Sequence, residues 1–145
     1  MSTQVPSLSA ICTTALLTSP ALPGLVALNA KRLARSYKVI TSFLDSHRVQ
    51  YIPVSAGLYV FARLGPSAET WDAEEILTRR LADSGVLVGP GKTYHLRDGE
   101  QGWFRLTFAL PLSDLKRALS IIERSLGWAS HMTAERRPRK RLRRT

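Results

Sequence analysis

Among residues whose type and setting could do chemistry, Arg105 stands first. It sits inside Trp103-Phe104-Arg105-Leu106-Thr107-Phe108, a permanent positive charge among large apolar neighbours. Such a guanidinium is costly to bury without an anion beside it. Two partners satisfy that demand: an internal Asp or Glu, or a ligand carboxylate held by two parallel hydrogen bonds. Pattern alone leaves both open. The segment Gly91-Lys92-Thr93 ends like a phosphate-binding loop, but the required glycine five positions earlier is Val86, and Tyr94-His95-Leu96-Arg97-Asp98-Gly99 does not open a helix. A turn after a buried strand accounts for those glycines. His47, His95 and His131 fall in three separate segments without metal-ligand spacing, so surface histidines are expected and no metal site is assigned. No nucleophile elbow or local triad signature occurs, so no catalytic residue is assigned either. A binding residue, Arg105, is the one chemical candidate.

The elements that must position it follow from periodicity. Leu33, Tyr37, Ile40 and Leu44 recur at helical steps, which predicts one long helix over residues 25–44 that stops near residues 46–48, before Pro53. Gly57-Leu58-Tyr59-Val60-Phe61-Ala62-Arg63, closed by Gly65-Pro66, reads as a strand. Asp72 with Glu75 resembles a capping box, followed by an apolar stripe at Ile76, Leu77 and Leu81 and a stop at Gly85. Val86-Leu87-Val88 and residues 103–108 read as further strands. Ser113 then caps a last helix carrying Leu115, Ala118, Leu119, Ile122 and Leu126, which ends at Gly127. The expected fold class is α+β: a small, mostly antiparallel sheet covered by helices, with a long N-terminal helix and a disordered basic C-terminal tail.

Charge divides the chain. The formal net charge is +10, but seven of the 21 basic residues lie in residues 136–145, and the remaining 14 face 11 acids. The folded part is therefore ordinary in charge, and the tail too poor in apolar residues to fold by itself. No charged side chain occurs before Lys31. Proline, glycine and hydroxyl residues interrupt that stretch, and no basic start precedes it, so a buried segment is expected and no membrane partner. The lone Cys12 asks for no oxidising compartment. A cytoplasmic location is expected, with a nuclear address through the tail as the alternative. Three regions result: an uncharged lead over 1–29, a domain over 30–128 and the basic tail over 129–145.

The order of signals is itself informative. Asn29-Ala30-Lys31-Arg32-Leu33, Ala56-Gly57-Leu58-Tyr59-Val60-Phe61, Gly85-Val86-Leu87-Val88-Gly89-Pro90-Gly91 and Gly102-Trp103-Phe104-Arg105-Leu106-Thr107-Phe108-Ala109 together resemble the C-terminal small domain of class I/II aminotransferases. The branch similar to 1-aminocyclopropane-1-carboxylate synthase matches best. The resemblance covers about residues 7–126, and implies a fold-type I architecture whose small domain closes over a site built mainly by a large domain. It implies pyridoxal phosphate as cofactor and an amino-acid or keto-acid carboxylate as partner. It also implies that Arg105 grips the substrate α-carboxylate, which fixes the amino acid relative to the cofactor. The lead segment is implied to be a remnant of the large-domain connection.

Departures matter equally. The family's Schiff-base lysine lies in a Ser-x-Ser-Lys-x-x-Gly context, and Lys31, Lys38, Lys92, Lys116 and Lys140 all stand in other contexts. No cofactor-binding residue is assigned. Three functional expectations follow. The first is a shortened aminotransferase-like protein of amino-acid or secondary metabolism, catalytically incomplete by itself. The second is an interaction partner of a full-length relative or separate large domain, through the surface of residues 1–30. The third and weakest is a nucleic-acid-associated protein acting through its tail.

Overall fold

In a computed structural model of the chain, residues 7–128 are described. The basic tail and the disorder expected of it lie outside the described residues. The chain divides into two units, Met1–Arg35 and Ser36–Thr145.

The first unit contains helix α1, Ser7–Leu17, and the start of helix α2, Leu22–Ser46. Helix α1 was not anticipated, and the expectation of burial is corrected: none of its residues is buried, and Leu8 is 72% exposed. The hydroxyl and alanine residues permit a helix but form no apolar stripe facing one side, and a two-helix unit has no layer of its own to cover it. Helix α2 starts earlier than periodicity predicts because Pro23 falls in its first turn, where a missing N–H is tolerated. No single described helix is long and apolar enough to cross a membrane; α1 and α2 pass that test only as a pair bent by 78°.

The second unit holds the sheet. From Ser36 onward α2 buries Ser36, Ile40 and Leu44, the face its spacing predicts, and it ends at Ser46 ahead of Arg48 in the left-handed region. Strand β1 is Tyr59–Ala62, helix α3 Trp71–Asp83, strand β2 Gly89–Pro90, strand β3 Phe104–Thr107 and helix α4 Leu112–Ser125. A single 3₁₀ turn, Gly91–Tyr94, follows β2. The strand order is β1-β3-β2 with antiparallel neighbours throughout. The fold is α+β, as expected. Val60, Ala62, Phe104 and Leu106 point into one core with Leu81 of α3 and Leu115, Leu119 and Ile122 of α4. Strands alternate their side chains between faces, so Tyr59, Phe61, Arg105 and Thr107 occupy the other side.

Three local expectations are corrected. Asp72 and Glu75 do not form the cap of α3. The cap is Thr70, whose Oγ1 accepts from the Ala73 N–H at 3.2 Å. The helix therefore begins before Asp72, and its buried face carries Glu74 and Leu81, while Ile76 is exposed. Val86-Leu87-Val88 is not a strand, because the Val86 N–H is spent on the Leu81 carbonyl in the turn through Gly85, and pairing starts only at Gly89. Ser113 lies inside α4, which opens after Pro111 without a side-chain cap.

Candidate functional site

Arg105 lies opposite Phe61 on one side and Gly89 on the other, in the middle of the sheet. Its guanidinium carbon stands 4.2 Å from the centre of the Tyr59 ring and 4.4 Å from that of Tyr94. Tyr59 is its strand neighbour's residue, and Tyr94 closes the 3₁₀ turn after β2. The Tyr94 ring is steadied edge-on by Phe61, with centroids 5.4 Å apart and planes at 85°. Gly89 makes room for it: a Cβ there would lie 2.5 Å from the Tyr94 hydroxyl oxygen.

Of the two partners left open by pattern, the internal acid is not found among the described residues. Among the described residues no carboxylate lies within 4.0 Å of Arg105, and no side-chain hydrogen bond engages it. Aromatic faces attract the cation while leaving its in-plane N–H edges uncommitted. A planar anion can use those edges. An internal ion pair would have consumed them.

A buried carboxylate lies beneath the same structure. Glu74 on α3 is 1% exposed. Its Oε1 accepts from the Lys92 N–H at 3.0 Å, and its Oε2 from the Gly102 N–H at 2.8 Å. Sequence reasoning missed it by singling out Glu75, its exposed neighbour, which pairs with Arg79 along the helix. The signal that could have found it is the i, i+3, i+7 spacing of Glu74, Leu77 and Leu81 once the cap is moved to Thr70.

The other candidates separate. Lys92 and Thr93 are exposed on the short turn, so the phosphate-loop reading finds no cradle there. His47 is not a surface histidine: its side chain is 9% exposed. Nδ1 lies 2.9 Å from the Phe43 carbonyl oxygen and Nε2 3.2 Å from Glu123 Oε1, with the ring stacked on Trp128. It joins the end of α2 to α4. His95 is exposed in the left-handed region, and His131 lies outside the described residues. No group of three metal-ligating side chains occurs among the described residues. Cys12 is exposed and free.

Solved structures that this fold resembles include aminotransferases. The aromatic aminotransferase of Pyrococcus horikoshii superposes with a TM-score of 0.66 at 20% identity, over 79% of this chain and 29% of that one. The class is thus an aminotransferase fold, represented in part. The family follows from sequence: the pattern of "Aminotransferase class I and II" matches residues 2–122, and the chain belongs to that family. The probable aminotransferase aclI of Aspergillus oryzae is 46% identical over 125 residues, covering 86% of this chain and 30% of the relative. The trimodular acetylaranotin synthesis protein ataIMG of Aspergillus terreus is 52% identical over 94 residues, 65% of this chain and 11% of the relative. A probable inactive 1-aminocyclopropane-1-carboxylate synthase-like protein 2 of the mouse is 37% identical over 83 residues, 56% of this chain and 14% of the relative. The chain therefore spans less than a third of the length of these relatives.

Family members depend on pyridoxal phosphate. Lys31, Lys38, Lys92 and Lys116 are all exposed, on helices α2 and α4 and on the 3₁₀ turn. None is among the residues that bracket Arg105 or form the buried core. Lys140 lies outside the described residues.

Proposed function

We propose that this chain is a shortened aminotransferase-like protein of amino-acid or secondary metabolism that keeps the substrate-carboxylate anchor, Arg105, and lacks the Schiff-base lysine. The observation that supports it is the guanidinium held between Tyr59 and Tyr94 with no acid beside it among the described residues. A carboxylate of an amino or keto acid meets the free N–H edges in a bidentate pair, strengthened by the part-buried setting. The bracket fixes the plane in which the acid binds. Amino-group transfer itself needs the cofactor's electron-withdrawing ring, which residues beyond this set must hold. The name of ataIMG, an acetylaranotin synthesis protein of Aspergillus terreus, supports the metabolic setting.

The test compares L-phenylalanine with L-phenylalaninamide, which differ only in the carboxylate, by nuclear magnetic resonance titration of the 145-residue chain. The acid is expected to bind in preference to the amide, and Arg105→Gln is expected to abolish that preference. Equal binding of both probes, or a preference that survives Arg105→Gln, contradicts the assignment.

A second reading has its own observation. Leu8, Ile11, Leu16 and Leu17 of α1 and Leu25, Val26 and Leu28 of α2 are exposed. Exposed apolar side chains in this number are what an association site presents. A full-length relative or a separate large domain is the occupant that fits a chain matching less than a third of its relatives. The nucleic-acid reading rests on residues 136–145, which lie outside the described residues.

A further inference from the structure

A carboxylate taken out of water on a helix is unfavourable unless each oxygen is hydrogen-bonded. At Glu74 each oxygen accepts one backbone N–H, and the two donors belong to the two segments that build the arginine bracket. Lys92 precedes Tyr94 by two residues in the 3₁₀ turn. Gly102 precedes Arg105 by three and leads directly into β3. The same carboxylate therefore grips the turn that carries one ring and the root of the strand that carries the guanidinium.

The packing around it is close. A Cβ on Gly91 would lie 3.0 Å from the Trp103 carbonyl oxygen and 3.4 Å from Glu74 Oε2, so the turn and the residues before β3 are pressed together at this point. Gly102, with φ of +85°, has a carbonyl that accepts from the Gly65 N–H at 3.1 Å, which ties the root of β3 to the exit of β1. Among the described residues Glu74 forms no salt bridge with Arg105. It holds the scaffold of the cation without neutralising the cation.

We propose that Glu74 is a positioning residue for the carboxylate site, acting through Lys92 and Tyr94 on one side and through Gly102 and Arg105 on the other. The proposal rests on the reading of Arg105 as a carboxylate anchor. Replacing Glu74 leaves Arg105 and both tyrosines in the chain but frees the Tyr94 ring to leave the guanidinium. The bracket then loses one face, and the N–H edges lose their fixed direction.

The experiment uses the 145-residue chain and two readouts. The first is the Arg105 Nε–Hε resonance, which ring currents of the two tyrosines displace from its ordinary position. The second is the affinity for L-phenylalanine, measured against L-phenylalaninamide. Glu74→Gln keeps the shape but offers one acceptor oxygen, so its amide N–H₂ meets a backbone N–H. The resonance is expected to return toward its ordinary position, and the affinity to fall roughly tenfold, the effect of one charge-assisted hydrogen bond. Leu81→Ala, on the same helix, is the control: it lowers the melting temperature without moving the resonance. Lys92→Pro removes one donor from an exposed position while keeping Glu74, and is expected to shift the resonance in the same direction. This variant decides the matter if Glu74→Gln does not fold. Acid-selective binding that Arg105→Gln abolishes and that neither Glu74→Gln nor Lys92→Pro alters, with the resonance unmoved, overturns the assignment of Glu74 alone. Binding indifferent to Arg105→Gln overturns the reading beneath it.

Discussion

A guanidinium stacked between two phenol rings has its faces covered and its edges open, and the edges are what a carboxylate needs. The bracket depends on Gly89, where even a methyl group meets the Tyr94 hydroxyl. Gly89→Ala is therefore expected to displace that ring and weaken L-phenylalanine binding several-fold, with the melting temperature changed by only a few degrees. Calorimetric titration alongside thermal denaturation checks this. His47 gives a prediction of stability and not of binding. Its two nitrogens face the Phe43 carbonyl and the Glu123 carboxylate, and its ring stacks on Trp128. His47→Ala removes these contacts at once and is expected to cost about 1–3 kcal/mol in urea unfolding, leaving acid-selective binding unchanged. Arg105 was legible as a residue that needed an anion because its apolar neighbours are adjacent in sequence. Its ring partners were not, since Tyr59 and Tyr94 are 35 positions apart and meet only across the sheet.

Elements answer to caps and turns. Thr70 satisfies the Ala73 N–H at the start of α3, so Thr70→Ala is expected to cost on the order of 1 kcal/mol in chemical denaturation. A larger loss is expected at the turn before β3. Gly102 has φ of +85°, and a Cβ there would sit 2.0 Å from the Gly65 carbonyl oxygen. Backbone faces backbone, so no side chain can move aside. Gly102→Ala is expected to destabilise the fold by roughly 3 kcal/mol or more, seen as a fall in the urea midpoint. Helices α2, α3 and α4 and strands β1 and β3 were readable because their apolar spacing matches their period. Strand β2 was not: Val86, Leu87 and Val88 have strand propensity, yet the helix stop at Gly85 engages the Val86 N–H, and Leu87 is exposed. The cap of α3 was misplaced by two residues because Asp72 and Glu75 have capping-box spacing, while Thr70 has the geometry.

On the first unit, Leu8, Ile11 and Leu16 of α1 are exposed apolar side chains. Replacing Leu8, Ile11 and Leu16 together by Asp is expected to weaken association with a full-length relative, seen by light scattering of the mixture as loss of the complex mass. An unchanged mass distribution would detach that surface from association. Family membership agrees with this architecture, because a chain that matches 30% of the relative aclI still forms the covered sheet of the fold.

The sequence by itself determined the class of the fold, the helical faces that enter the core and the family, and it singled out Arg105 as a candidate binding residue. These depend on local spacing and on short motifs in order, which survive without knowledge of contacts. Only the tertiary structure decided what stands beside that cation and what holds it there. Tyr59, Tyr94, Gly89 and Glu74 come from four segments, and antiparallel pairing about β3 brings them to one place. The choice between an internal acid and an open N–H edge is a matter of distance in space, which no order of residues states.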